Sequence, residues 1–153
     1  NFGLYSERVG ALSVVTPTAD SARTVASQVK ATIRTNYSNP PSHGAAIVAE
    51  ILADSELREQ WNGELTDMRE RINGMRRLFT RTMADRLPDQ DFSFIERQRG
   101  MFSYSGLTAQ QVDTLKEKYS IYIVRDGRIN VAGINSSNVA PLCDAISSVL
   151  NGE

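Results

Sequence analysis

Cysteine is nearly absent from this sequence, with Cys143 the only one in 153 residues. A single thiol cannot close an intramolecular disulfide, which excludes a disulfide-stapled scaffold and fits a reducing compartment, the cytoplasm, best. Histidine is equally scarce. With His43 standing alone, a multi-histidine metal site is excluded and no bound metal is expected. Neither sign of charge is in excess, because 17 Lys and Arg face 18 Asp and Glu for a net charge of −1. A nucleic-acid partner, held by neutralised phosphates, is therefore not expected. No apolar run approaches the roughly 18 residues of a membrane span. The opening Asn1-Phe2-Gly3-Leu4-Tyr5 has no initiator Met, basic leader or long apolar core, so it is no signal peptide and reads like the interior of a longer chain. Also missing are a Walker loop, G-x-G-x-x-G, C-x-x-C, H-E-x-x-H and the G-x-S-x-G elbow. Without the elbow, His43 reads as a structural residue at a helix start, and Cys143 as a core thiol.

What is present is an ordinary globular composition, 41% hydrophobic and 23% charged, enough for about one domain. The basic residues are mostly Arg; only Lys30, Lys116 and Lys118 are Lys. The planar guanidinium fork suits bidentate binding of carboxylate or phosphate.

The β-branched run Gly10 to Val15 predicts a buried strand. Ala22, Val25, Val29 and Ile33 then recur at helical spacing, predicting a helix over 19–34 with Thr18 as N-cap. Pro40 and Pro41 follow, and residues 42–53, rich in Gly and Ala, predict a second helix. The clearest periodicity runs through Leu57, Trp61, Leu65, Met68, Ile72, Met75, Phe79 and Met83. It predicts one long helix, about 55–86, with this stripe as core and a weak point at Gly74. Further on, 92–95, 101–104, 121–124 and 128–131 predict strands. Thr108 with Gln111 forms a capping box opening a helix on Val112, Leu115 and Tyr119. Residues 135–137 cap a last helix on Val139, Leu142, Cys143, Ile146 and Val149. Two bodies joined by one helix are expected, of which the first, with one strand and two helices, cannot close a core alone.

Three arginines stand in unusual places. Arg8 precedes the first apolar run, Arg34 ends a helix before the Pro-Pro turn, and Arg128 opens a β-branched strand, where an unpaired charge is costly. The segment Asn1 to Gly10 resembles the one that directly follows the pyridoxal-phosphate lysine in class I aminotransferases of the aspartate/aromatic group. Asn36 to Ala45, Gly100 to Ser103 and Gly127 to Gly133 resemble three further blocks of that family, in the same order.

The resemblance implies an α/β fold, the C-terminal part of a fold-type I pyridoxal-phosphate-dependent transferase. Residues 1–67 would finish the large cofactor domain and 68–153 would form the small domain. It implies that Arg8 binds the cofactor phosphate and Arg128 the substrate α-carboxylate. Arg34 would act in trans, reaching across a homodimer interface to the distal carboxylate of a dicarboxylic amino acid or 2-oxo acid. Phe102 would line the substrate entrance, Ser38 the neighbouring site, and Tyr5 would lie behind the lysine. That Schiff-base lysine would stand immediately before Asn1, so no catalytic residue is expected in this chain. On its own the chain should be inactive and need the N-terminal remainder of the same enzyme. The implied reaction is ping-pong transamination between L-aspartate and 2-oxoglutarate, with an aromatic amino acid aminotransferase as the alternative. A non-catalytic helical interaction module built on residues 55–86 is the alternative of another class.

Overall fold

The computed structural model describes residues 2–152. They form six α-helices and two strands: α1 (Ala19–Tyr37), α2 (His43–Ala53), α3 (Ser55–Arg86), α4 (Phe94–Arg97), β1 (Phe102–Tyr104), α5 (Ala109–Tyr119), β2 (Arg128–Asn130) and α6 (Val139–Leu150). A 3-10 turn at Val131–Gly133 follows β2. The chain divides into two compact units, Asn1–Gly63 and Glu64–Glu153, and the division falls inside α3.

In the first unit, Thr18 caps α1 by accepting the Ser21 N–H at 3.1 Å, and α1 runs three residues past the expected end to Tyr37. Residues 10–15 are not a strand. They run alongside α1, with a groove between Leu12, Val14, Val25, Val29 and Ile33. No described residue offers these six a ladder partner, and Val15 is 97% exposed. A strand alone cannot satisfy its backbone groups.

The second unit holds the hydrophobic core. Phe79 and Met83 of α3 meet Val112 and Leu115 of α5, Ile129 of β2, and Cys143, Ile146 and Val149 of α6. The long helix spans 32 residues without interruption at Gly74. Its apolar stripe is core only from Ile72 onward; Leu57, Leu65 and Met68 remain exposed, and Trp61 stacks on Phe2 with ring centroids 4.6 Å apart. The capping box of α5 forms in both directions, Gln111 N–H to Thr108 Oγ1 at 3.3 Å and Thr108 N–H to Gln111 Oε1 at 2.8 Å. Tyr119, expected on the buried face, is exposed.

Two expected strands do not form. At 92–95 the buried residues are Phe92 and Ile95, a helical spacing, and α4 forms there after the Asp91 carboxylate accepts the Ser93 N–H at 2.7 Å. Residues 121–124 are tied to β2 by one backbone bond, Val124 N–H to Arg128 O at 3.3 Å. The ladder of β2 belongs instead to β1, antiparallel, pairing Phe102 with Asn130, Ser103 with Ile129 and Tyr104 with Arg128. Ahead of α6, Asn135 Oδ1 accepts the N–H groups of Ser137 and Asn138, at 2.9 and 3.0 Å, so its side chain shapes the turn before the helix start.

Candidate active site

The β1–β2 pair builds the site in the second unit. Both strands bury only their middle residue, so Ser103 and Ile129 point inward while Phe102, Tyr104, Arg128 and Asn130 stand on the outer face. Gly127 sets the entry to β2. Its φ is +85°, and a Cβ there would lie 2.7 Å from the Leu107 carbonyl oxygen, so only glycine lets the two segments approach. Asp126 accepts the Arg128 N–H at 3.0 Å and leaves its carboxylate 3.9 Å from the guanidinium, a loose pairing. The Arg128 guanidinium lies over the Phe102 ring, 5.7 Å from its centroid, in cation–π geometry. Beside them opens a cleft of about 390 Å³ lined by Phe102, Tyr122, Arg128, Asn130, Asn138 and Leu142, among others. A guanidinium held against an aromatic wall, flanked by two amides, is chemistry for a carboxylate.

The first unit carries the other sequence-predicted residues. Arg8 and Ser6 adopt left-handed backbone, φ +52° and +66°, which non-glycine residues take up rarely. Arg8 is exposed, and Tyr5 is 84% exposed. The loop is seated on the start of α2. Glu7 Oε1 lies 3.1 Å from His43 Nδ1, and a Cβ on Gly44 would meet Glu7 Cβ at 2.8 Å and collide with Val9. Arg34 is exposed on the last turn of α1, and Ser38, φ +60°, closes that turn by donating its N–H to the Arg34 carbonyl at 2.9 Å. Among the described residues neither Arg8 nor Arg34 makes an ion pair, whereas Arg23, Arg86 and Arg125 do. Asn1, beside which the lysine is expected, lies outside the described residues. The three lysines present are exposed on α1 and α5.

Thus Arg128 meets Phe102, Arg34 adjoins Ser38, and Arg8 sits by the start of α2. Arg76 went unnoticed in the sequence. It is 2% exposed and bonded to Ser103 and to the carbonyls of Gly100 and Phe102. Burial, and then the Arg99 charge, lower its pKa from the ordinary arginine value. The available signal was its place on the apolar stripe, four residues after Ile72 and three before Phe79. Cys143 is fully buried, and burial pushes its thiol up to about 11, an inert core group. No three His, Cys, Asp or Glu among the described residues cluster to hold a metal, and no described helix is long and apolar enough to cross a membrane.

Residues 1–146 match the family model for aminotransferase class I and II. The chain is 57% identical over 150 residues to an aspartate aminotransferase of Haemophilus influenzae, covering 98% of this chain and 38% of that protein. Against an aromatic-amino-acid aminotransferase of Escherichia coli the identity is 44%, covering 97% and 38%. Among solved structures, an aromatic-amino-acid aminotransferase from Burkholderia pseudomallei, covalently bound to pyridoxal phosphate, is 54% identical with a TM-score of 0.87, covering 96% of this chain and 37% of that one. The chain thus spans 35–38% of the length of the curated relatives it matches. This breadth of agreement displaces the interaction-module alternative: the chain belongs to the class I and II aminotransferase family.

Proposed function

We propose that the chain is the C-terminal portion of a cytoplasmic, homodimeric aspartate aminotransferase that exchanges the amino group between L-aspartate and 2-oxoglutarate with pyridoxal 5'-phosphate. The observation that carries this is Arg128 poised over Phe102 at a cleft, within a chain 54–57% identical to aspartate aminotransferases over 98% of its length. In this reading Arg128 grips the α-carboxylate and fixes the direction of the Cα–H bond, while Phe102 forms the wall that keeps water from that ion pair. Arg34, free of any acidic partner among the described residues, binds the distal carboxylate in the partner subunit's site, with Ser38 beside it.

The donor set fits the phosphate of the cofactor: Arg8 is an exposed guanidinium with no described carboxylate, held in a loop that Glu7 and Gly44 fasten to α2. When bound, pyridoxal phosphate supplies an electron-withdrawing ring that makes the Cα proton of an amino acid acidic. In this reading the group that moves that proton is not in this chain, because Lys30, Lys116 and Lys118 lie on helices outside the family's blocks. The active enzyme therefore needs its N-terminal remainder.

The test is amino transfer by the full-length enzyme from L-aspartate and from L-phenylalanine to 2-oxoglutarate. Aspartate is expected to be the better substrate, and Arg128→Ala to damage both, since every amino acid presents an α-carboxylate. Truncating a charged hydrogen bond of this kind costs about 3–5 kcal/mol, roughly two to four decades in kcat/KM. Activity with Arg128→Ala equal to wild type rejects the assignment. A second reading, an aromatic amino acid aminotransferase, draws on the 54% identity to the Burkholderia pseudomallei enzyme. A preference for phenylalanine would select it.

A further inference from the structure

Arg76 is the only charged residue among the described ones that is fully buried, and it meets no carboxylate there. Its Nε donates to Ser103 Oγ at 3.2 Å and Nη1 to Asn73 Oδ1 at 3.3 Å. Nη2 donates to the Gly100 carbonyl and, at 3.4 Å, to the Phe102 carbonyl. An apolar side chain of that length, on the stripe between Ile72 and Phe79, would carry no charge to desolvate. What the guanidinium gains for its desolvation is a hold on one stretch, 100–103, through two carbonyls and a hydroxyl.

That stretch runs into β1, the partner of the strand that carries Arg128. β1 is three residues long and has β2 as its single ladder partner in the described structure. Its far end is held by Gln98, whose amide takes both backbone groups of Tyr104: Oε1 accepts the N–H at 2.6 Å and Nε2 donates to the carbonyl at 3.0 Å. Its near end is held by Arg76 from the inner face. Pleating then fixes the outer face, where Phe102 stands under the Arg128 guanidinium. We infer that Arg76 is a positioning residue for carboxylate recognition: from inside the sheet it sets the place of Phe102, and through the ladder that of Arg128. The inference rests on the proposed role of Arg128. Arg76 itself touches no substrate.

The experiment uses the full-length enzyme with Arg76→Lys, Arg76→Gln and Ser103→Ala. Four quantities are read: the Kd of succinate, a dicarboxylate with no amino group to transfer; KM and kcat for L-aspartate; and backbone hydrogen exchange at 102–104 and 128–130. Lysine keeps the charge but offers one point of attachment where the fork offers three. Displacing a gripping group by a fraction of an ångström costs about tenfold, so Arg76→Lys should raise the succinate Kd and the aspartate KM by about that factor. Expected with it are a kcat within about twofold and faster exchange in both strands. Arg76→Gln should move the same readings further. If it does not fold, Ser103→Ala, which removes the Nε partner alone, decides with a Kd rise of about threefold. Faster exchange with unchanged succinate Kd and aspartate KM overturns the inference, leaving Arg76 a purely structural clamp while the proposed function stands. Unchanged exchange overturns it as well. A wild-type enzyme that binds no succinate and transfers no amino group from aspartate overturns the function first, and the inference with it.

Discussion

Residues 64–153 shield Phe79, Met83, Leu115 and Ile146 almost completely, whereas in residues 2–63 Gly44 is the only one buried. Several of the arginines differ between the units in the same direction, although Arg23 in the first pairs with Asp20. In the second unit Arg71, Arg76, Arg86 and Arg125 hold carbonyls, hydroxyls or carboxylates, while Arg8 and Arg34 in the first make no described ion pair. The second unit closes its own core and pairs many of its polar groups, with the buried Ser147 hydroxyl an exception. The first offers groups for something else to satisfy, which in the proposed enzyme is cofactor, substrate, the N-terminal remainder and the partner subunit.

The contrast can be broken most forcefully at Met83, which is completely buried. Met83→Ala should cost about 2–5 kcal/mol in urea unfolding of this chain, and a loss below about 1 would mean that the second unit's core does not carry its stability. Next comes the capping box. Thr108→Ala orphans the Gln111 N–H at the start of α5 and should cost about 1 kcal/mol by the same measurement.

The pairing of Asp144 with Arg86, Oδ1 to Nε at 2.5 Å, is a smaller effect at the surface of that unit. The Arg86 hydrogen bond holds the Asp144 carboxyl below the usual carboxylate range. A carboxyl lowered on folding stabilises fully above its unfolded value, about 4, and that contribution is lost as pH falls through the folded value. The stability gap between wild type and Asp144→Asn should therefore narrow on acidification below about pH 4 and be flat above pH 6. Smallest of all, Val15→Ser in the first unit should shift stability by less than about 0.5 kcal/mol, because Val15 is already in water. A larger loss would show that residues 10–15 are covered after all.

Where side-chain spacing alone determines structure, the sequence was readable. The period of α3, the Thr18 cap and the Thr108–Gln111 box are local, and they form as read. Strands were harder, because a β-branched run becomes a strand only with a partner. Residues 10–15 have none among the described ones, and 121–124 compete for β2 with β1, which holds the ladder. The site was legible in part. Arg128 and Phe102 lie 26 residues apart, and their meeting depends on the register Tyr104–Arg128, which the family's blocks signal and composition does not. Arg76 was hidden in plain view, one more arginine on a helix rich in them, distinguished only by its place on the apolar stripe.

The account stands most directly on Arg34, which makes no ion pair among the described residues and should separate aspartate from substrates with one carboxylate. The deciding measurement is kcat/KM for L-aspartate and for L-phenylalanine in the full-length enzyme, wild type against Arg34→Ala. Losing the distal charge-assisted bond should cost aspartate roughly two to four decades and leave phenylalanine within a few-fold of wild type. An equal loss for the two amino acids would contradict the distal-carboxylate role, and with it the reading of the chain as part of an aspartate aminotransferase.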